Sequence, residues 1–173
     1  MTPTVPWGSK LTLTQTHSGT AKPHTRDNAP TGATPGMHNN EQAVRALYNA
    51  WNVRDLTAWV DAFTPDATWT NVPSGENFTG PEGMEQNYTN WNVPFPDGQV
   101  IDITVLSGDD FAVAQFTSSG INKGPMPTAN GTVPATNKAL AVPFCDVHRL
   151  IDGRISATHR YWDNASVIDA LGL

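Results

Sequence analysis

The sequence predicts an α+β domain in which helices from its N-terminal half pack across a curved antiparallel sheet. Segments with helical periodicity come first, between residues 40 and 93. Runs with strand-like alternation then follow one another from residue 99 to residue 162, as in an antiparallel meander. A strongly curved sheet that helices cross has a concave face, and inward-pointing side chains on its strands line a cavity. Polar residues within the strands are therefore the first candidates for a functional site.

Three helices are predicted, near residues 40–53, 54–64 and 80–93. The first, in NNEQAVRALYNAWNV, has apolar residues at helical spacing, namely Ala43, Val44, Leu47, Tyr48 and Trp51. Asp55 can cap the second helix, and Pro65 ends it. The inner face of this helix is predicted to carry Leu56, Trp59, Ala62 and Phe63. The third helix, in GPEGMEQNYTNWNV, stops before the prolines that follow it. Between the second and third helices, the alternating run DATWTNV predicts a strand.

Four strand-like runs follow the helices: QVIDITVL, FAVAQFTSS, ALAVPFCDVHRL and RISATHRYW. The segment NASVIDAL then predicts a short closing helix, with Asp163 as its N-terminal cap and Gly172 at its end. The long segment 121–137, which precedes the third run, is rich in Gly and Pro. We expect it to form a lid at the mouth of the cavity.

The first 38 residues differ from the rest of the chain. They are rich in Thr, Pro and Gly and lack apolar periodicity. Such a composition predicts a tail or linker over residues 1–38. One folded domain is then expected over residues 39–173.

Composition and charge exclude several classes of function. The net charge of −6 disfavours nucleic acid as a partner, since such binding depends on neutralising phosphates. No stretch reaches the length of a membrane span and no secretory signal opens the chain, which predicts a cytoplasmic protein. Cys145 is the only cysteine, which excludes an internal disulfide and a cysteine-built metal site. Asp146 and His148 have no third ligand at a suitable spacing, and no Gly-rich phosphate loop occurs, so neither metal nor cofactor is expected.

The last third of the chain carries a family resemblance. The stretch GTVPATNKALAVPFCDVHRLIDGRIS, followed by HRYWDNASVIDALG, resembles the SnoaL-like polyketide cyclases, also known as ester cyclases. The clearest points are PAT near residue 135, the DGRI turn and the final D…LG, and the match spans about residues 40–173. This resemblance implies the cone-shaped fold shared by nuclear transport factor 2, ketosteroid isomerase and limonene epoxide hydrolase. It also implies a homodimer, because relatives of this fold commonly pair through the outer face of the sheet.

At the site of the cyclases, the resemblance implies that two residues are exchanged. Where the cyclases carry the aspartate that handles the proton in an intramolecular aldol closure, this chain has Arg160. Where they carry an assisting histidine, it has Asp146. Asn71 matches an asparagine that helps to hold the hydrolytic water in limonene epoxide hydrolases, and Trp69 replaces their tyrosine. The further Arg…Asp pair of those hydrolases has no counterpart in FAVAQFTSS, which disfavours epoxide hydrolysis.

Asp146 and Arg160 offer complementary chemistry. Arg160 has only donors and cannot act as a base, but it can anchor a carboxylate or stabilise an enolate oxygen. Asp146, held in its charged form by the adjacent guanidinium, can transfer a proton, with assistance from His148. The alternative is that the pair is a structural ion pair and that His148 is a hydrogen-bonded wall residue. His159 is expected to point away from the cavity.

The turn between the last two strands decides whether Asp146 and Arg160 share a face of the sheet. A two-residue hairpin at Asp152–Gly153 places them on opposite faces. A three-residue loop over residues 151–153 places them on the same face, with Phe144 opposite Arg160. The resemblance, in which both positions face the cavity, favours the three-residue loop.

Several aromatic residues are candidate walls of the cavity. They are Trp69, Tyr88, Trp91, Phe144 and Trp162. The alternative is that they belong to an ordinary core, because a cavity for a polycyclic substrate uses the same residue types. Asn71 is the polar candidate outside the last two strands.

The leading hypothesis is a cofactor-free cyclase or isomerase that acts on a hydrophobic, polyketide-like or terpenoid-like molecule of secondary metabolism. Removal of a proton beside a carbonyl gives an enolate, which closes a ring or shifts a double bond. Asp146 and His148 would move the proton, while Arg160 and Asn71 would hold oxygens. The main rival is a binding domain that kept the cone and lost the catalytic acid. A third hypothesis is an association module with no ligand.

Overall fold

The computed structural model describes residues 35–128 and 131–173, and within these ranges the chain forms four helices and a large sheet. The helices are α1 (Pro35–Val53), α2 (Leu56–Asp61), α3 (Gly80–Asn92) and α4 (Asn164–Leu171). The strands are β1 (Phe63–Asn71), β2 (Glu76–Thr79), β3 (Gln99–Ser107), β4 (Phe111–Ile121), β5 (Met126–Thr128), β6 (Gly131–Val133), β7 (Ala139–Ile151) and β8 (Arg154–Trp162). The predicted α+β class is confirmed. Most of the predicted N-terminal tail, residues 1–34, lies outside the described residues.

Six strands form the large sheet, in the order β2-β1-β8-β7-β4-β3, while β5 and β6 pair separately as a small hairpin. Irregular register in three of the strand pairs accompanies the curvature of the sheet. The sheet is mixed rather than wholly antiparallel, because β1 and β8 run parallel. The chain leaves β1 through β2 and α3, and it returns beside β1 only as its last strand, in the same direction.

The helices follow the prediction except at two boundaries. α1 begins at Pro35, five residues before the predicted start. α2 ends at Asp61 rather than near residue 64, because Phe63 already pairs with Ile155 in the sheet. Asp55 caps α2 as predicted, its carboxylate accepting a hydrogen bond of 2.9 Å from a backbone N–H.

The core lies between the helices and the concave face of the sheet. β7 shows how the sequence builds it, since every second residue of this strand is buried: Leu140, Val142, Phe144, Asp146, His148 and Leu150. Four of these side chains are apolar and two are polar. The alternation therefore places an aspartate and a histidine in an otherwise apolar core, where polar groups need partners.

The turn between β7 and β8 contradicts the favoured prediction but preserves its main consequence. Asp152 and Gly153 form a two-residue hairpin with φ values of 49° and 76°. Beyond this hairpin, a β-bulge at Ser156 inserts one unpaired residue into β8. The bulge restores the shared face, so that Asp146 pairs directly with Arg160. The predicted three-residue loop is wrong, and so is the placement of Phe144 opposite Arg160, since Phe144 pairs with Trp162.

We expect Gly153→Ala to lower the free energy of unfolding by about 1 kcal/mol, because an L side chain is strained at this positive φ. Urea denaturation at equilibrium measures the change. Asp152→Gly is the matched control, since glycine adopts the neighbouring positive φ without strain; its effect should stay within about 0.5 kcal/mol. Equal effects of the two substitutions would argue against this turn.

Candidate functional site

A small cavity opens between the helices and the concave face of the sheet. It is lined by Tyr48, Trp51, Trp59, Trp91, Phe95, Gly98, Val100, Phe116, Ser118, Phe144 and Arg160. Most of these side chains are aromatic. The volume of the cavity that the centres of water molecules can occupy is about 20 Å³. This is room for one or two waters and not for a polycyclic molecule. A larger ligand therefore requires the walls to move.

The predicted contact between Asp146 and Arg160 is confirmed. Arg160 Nε lies 2.9 Å from Asp146 Oδ1, and Nη2 lies 2.7 Å from Oδ2, which makes the pair bidentate. Asp146 is fully buried, and Arg160 is 7% exposed. The guanidinium also lies over the ring of Trp69, 4.5 Å from its centre, and this cation–π contact fixes its plane.

Tyr48 joins this pair from α1. Its hydroxyl donates a hydrogen bond of 2.6 Å to Asp146 Oδ2, and it lies 3.1 Å from His148 Nε2. Burial and then the charge of Asp146 raise the pKa of Tyr48 well above its usual value. Tyr48 therefore keeps its proton and acts as a hydrogen-bond donor.

His148 completes the cluster on the side away from Arg160. Its Nδ1 lies 2.9 Å from Thr158 Oγ1. Burial lowers its pKa from 6.5 to about 4, although the charge of Asp146 opposes this shift, so the imidazole is neutral at pH 7. Because the single proton of Tyr48 is donated to Asp146, we assign the proton of His148 to Nε2, which donates to the Tyr48 oxygen, and Thr158 donates to Nδ1.

Arg160 remains a cation despite its burial. Burial alone lowers the pKa of a guanidinium, but the charge and hydrogen bonds of Asp146 outweigh it, so that the pKa of Arg160 is raised. The cluster thus contains one positive and one negative side chain, together with neutral Tyr48 and His148. Its net charge is zero.

The low pKa of His148 predicts a pH-dependent stability. Between pH 6.5 and about pH 4, the unfolded chain binds a proton at this residue that the folded chain does not take up. Stability is therefore lost as the pH falls through this window, and a shift of this size corresponds to about 3 kcal/mol. The groups that face His148 are Tyr48, Asp146 and Arg160, from α1, β7 and β8.

Urea denaturation from pH 4 to pH 8 measures this effect. Wild-type protein should lose more stability below pH 6.5 than His148→Gln does, because the variant has no imidazole to protonate. His159→Gln is the matched control, since His159 is exposed on the opposite face of β8. If the free energy of unfolding of wild-type protein changes with pH in parallel with that of His148→Gln, the pKa of His148 is not lowered by folding.

The other predicted site residues divide between the cavity wall and the layer behind it. Trp91 and Phe144 line the cavity together with Arg160. Trp162 stacks on Phe144 with 5.4 Å between ring centres, and Tyr88 packs against two tryptophans of the wall. Asp146 and His148 do not line the cavity but lie behind its wall, so the expectation that Asp146 faces the cavity together with Arg160 is wrong.

Asn71 is buried, and its side-chain amide is hydrogen-bonded to neighbouring side chains. Its Oδ1 accepts a hydrogen bond of 2.9 Å from Trp69 Nε1, and its Nδ2 donates to Glu76 Oε2 over 3.1 Å. Neither Asn71 nor Trp69 is among the residues that line the cavity. Asn71 instead orients Trp69, on which the guanidinium of Arg160 lies.

Eight residues that line the cavity were not predicted as site residues: Tyr48, Trp51, Trp59, Phe95, Gly98, Val100, Phe116 and Ser118. Helical spacing assigns Tyr48 and Trp59 to inner faces, but such a pattern cannot distinguish an aromatic side chain of the core from one that lines a cavity. Of the described residues in segment 121–137, none lines the cavity, so the lid expectation gains no support.

The described residues contain no cluster of three or more His, Cys, Asp or Glu side chains that could hold a metal ion. Among the helices of these residues, none is long and apolar enough to cross a bilayer. The candidate site is an aromatic cavity with a guanidinium at its wall and a buried acid behind it.

The curved mixed sheet and the helices that pack on it form an α+β fold of the ketosteroid isomerase-like type. The sequence profile of the SnoaL-like domain matches residues 44–158. The chain therefore belongs to the SnoaL-like domain family, as the resemblance implied.

Solved structures of similar fold come from several bacteria. A protein described as a SnoaL-like polyketide cyclase, from Jannaschia sp. CCS1, superimposes with a TM-score of 0.71 at 22% identity, covering 82% of this chain and 96% of that chain. A ketosteroid isomerase-like protein from Catenulispora acidiphila, solved with trimethylamine, gives 0.64 at 22% identity, covering 76% and 93%. AclR from Streptomyces galilaeus, described as a hydroxylase, gives 0.67 at 17% identity, covering 79% and 97%. No curated protein sequence matches the chain.

Proposed function

We propose that this protein is a cofactor-independent cyclase or isomerase that acts by enolate chemistry on a hydrophobic small molecule bearing a carbonyl group. The observation that carries the proposal is the buried Tyr48–Asp146–Arg160 cluster at the wall of an aromatic cavity. Family membership supports the small-molecule cavity. The substrate class is polyketide-like or terpenoid-like, and we place it in secondary metabolism.

Arg160 would stabilise the oxygen on which negative charge develops. It lines the cavity, its positive charge is secured by Asp146, and its plane is fixed against Trp69. A donor held in place before the reaction lowers the barrier because it need not reorganise as charge forms. In this proposal Asn71 acts indirectly, through the position of Trp69.

Tyr48 would carry the proton from the substrate to Asp146. A carbon-bound proton moves to the Tyr48 oxygen while the hydroxyl proton moves to Asp146 Oδ2, 2.6 Å away. No free tyrosinate forms, which agrees with the raised pKa of Tyr48. The products are an enolate and a protonated Asp146, and the enolate then closes a ring or is reprotonated elsewhere. His148 would hold the Tyr48 oxygen in place during the transfer.

The chemical nature of this base limits the substrate. It is a carboxylate to which a guanidinium and a hydroxyl donate hydrogen bonds. It suits an acidic carbon–hydrogen bond, as in a β-dicarbonyl compound, better than an unactivated ketone. We therefore propose an activated methylene as the reacting group.

Exchange of carbon-bound hydrogen for deuterium tests the proposal without knowledge of the product. A panel of β-keto esters, beginning with ethyl acetoacetate, is incubated with the protein in D₂O at a pH where uncatalysed exchange is slow. Proton NMR should show saturable exchange above the background in wild-type protein, with a loss in Tyr48→Phe. Tyr48→Phe is a well-matched variant because it leaves the Asp146–Arg160 pair in place.

A second candidate function, binding without catalysis, is favoured by one observation. Both oxygens of Asp146 already accept hydrogen bonds, and the residue is fully buried behind the cavity wall. Under this alternative the cluster is a rigid platform for a ligand. Saturable binding of the β-keto esters with exchange at the background rate would favour binding alone and overturn the enzymatic proposal.

We also propose a homodimer that covers part of the outer face of the sheet. Two apolar side chains of this face, Ile151 and Tyr161, are 59% and 44% exposed. Sedimentation at micromolar concentration should give twice the chain mass of 18.7 kDa, and Tyr161→Asp should shift the protein toward the monomer. A monomeric wild-type protein would contradict this prediction. A cytoplasmic location likewise stays a prediction.

A further inference from the structure

Trp59, a residue of the cavity wall, carries a hydrogen-bond donor that has no partner among the described residues. The indole Nε1 of Trp59 is buried and has no hydrogen-bond partner among the described residues. Trp59 is 1% exposed, and it lines the cavity. Buried polar groups nearly always have a partner, since leaving one unsatisfied costs free energy. The nitrogen is inaccessible in the closed cavity, so an unpaired donor on this wall residue suggests that a ligand supplies the acceptor once the walls move to admit it.

Arg160 points to the same kind of ligand atom. Its Nε and Nη2 bind Asp146, yet the residue still lines the cavity. Arginine and the indole of tryptophan can only donate hydrogen bonds. A ligand atom that faces both residues must therefore be an acceptor, such as a carbonyl or carboxylate oxygen.

The charge of the cluster distinguishes these two acceptors. The positive charge of Arg160 is already balanced by Asp146 at a distance of 2.7 Å. A carboxylate would bring a second negative charge into a buried site with no cation to balance it, which is unfavourable. A neutral carbonyl avoids this cost. When its carbon loses a proton to Asp146, the new negative charge replaces that of the aspartate, so the net charge of the site is unchanged.

We infer that the ligand is a neutral, planar carbonyl compound whose oxygen accepts hydrogen bonds from Trp59 and Arg160, and that carboxylates are rejected. The apolar body of the ligand would lie against the aromatic wall that includes Trp91, Phe116 and Phe144. This inference rests on the proposed function, because it specifies the oxygen that the enolate mechanism uses. It adds Trp59 as a residue that recognises the ligand. It also excludes the alternative role for Arg160 considered from the sequence, in which its guanidinium anchors a carboxylate of the ligand.

Acetophenone and benzoate form a matched pair of probes, since they share a phenyl ring and differ in the charge of the acceptor. Each is titrated into ¹⁵N-labelled protein, and the indole N–H resonances are followed by NMR. The Trp59 resonance is assigned by its absence from Trp59→Phe. Acetophenone should shift this resonance downfield and should bind at least about tenfold more tightly than benzoate. Trp59→Phe should weaken acetophenone binding by about three- to tenfold, as the loss of one hydrogen bond implies.

Trp162→Phe is the matched control, because Trp162 stacks behind Phe144 and is not among the residues that line the cavity, so the buried, unpaired N–H of Trp59 stays in place. It should leave the preference for acetophenone over benzoate unchanged. Equal or tighter binding of benzoate, no loss of affinity in Trp59→Phe, or no binding of acetophenone up to its solubility would each overturn the inference. Deuterium exchange distinguishes the two proposals. If wild-type protein catalyses exchange but Trp59→Phe does not weaken acetophenone binding, only this inference is contradicted. If the protein prefers acetophenone to benzoate but catalyses no exchange, only the enzymatic function is contradicted.

Discussion

Arg160→Leu is expected to lower the free energy of unfolding by about 3–5 kcal/mol, because it leaves the charge of Asp146 buried without a partner. Asp146 is fully buried, and two nitrogens of Arg160 bind it at 2.7–2.9 Å. The substitution also removes the guanidinium from the ring of Trp69. Urea denaturation measures the loss, and ligand binding should be lost with it, since Arg160 lines the cavity.

A double-mutant cycle shows whether the unpaired charge is the cause. Asp146→Leu combined with Arg160→Leu removes both charges, and apolar replacements of a buried ion pair are often neutral. The double variant should therefore be more stable than Arg160→Leu alone. Arg160→Lys, which keeps the charge but loses the bidentate geometry, should fall between wild type and Arg160→Leu. A loss of less than about 1 kcal/mol in Arg160→Leu would contradict this view of the pair.

Asp146→Asn is expected to reduce the rate of deuterium exchange by about 10²- to 10⁴-fold, the range that a general base contributes. Asparagine has nearly the same shape as aspartate, and its oxygen can still accept a hydrogen bond from Arg160. It cannot accept the proton that Tyr48 would pass on. Ligand affinity should change only a few-fold, because Asp146 lies behind the cavity wall and Arg160 remains in place.

This variant also leaves the cation of Arg160 without a counter-charge, so its stability must be measured alongside its activity. Exchange rates are compared at a temperature where thermal unfolding shows both proteins to be folded. Tyr48→Phe is the companion variant, since it interrupts the same proton path but keeps both charges. Exchange that survives in Asp146→Asn within about threefold of wild type would place the base elsewhere.

The five longer strands and the closing helix could be predicted because their patterns are local, whereas the short strands β2, β5 and β6 were not predicted. In β7, buried and outward-facing residues alternate along consecutive positions of the sequence. Asp163 and Gly172 cap the two ends of α4, as expected for an aspartate and a glycine at these positions. The boundary after α2 could not be predicted in the same way. Phe63 continues the helical spacing, but its place in the strand depends on pairing with Ile155, 92 residues later.

The site was only partly predictable for the same reason. The contact between Asp146 and Arg160 follows from two neighbouring strands, once the parity of their pairing is known. Tyr48 reaches Asp146 from a helix 98 residues earlier in the chain, and no local pattern contains that approach. Trp59 was assigned to the inner face of α2, but its unpaired N–H exists only in the packed structure.

The bulge at Ser156 has a consequence for comparing this chain with its relatives. A two-residue turn plus one bulged residue gives the same side-chain parity as a three-residue turn with no bulge. A relative that gained one turn residue and lost the bulge would present the same residues to the concave face. In an alignment the two chains would differ by a pair of one-residue gaps, three or four positions apart. If an alignment omits both gaps, it misaligns only the short stretch between them and leaves Arg160 in its true column. If it places just one of them, every later residue of β8 is compared with a neighbour that faces the other side of the sheet.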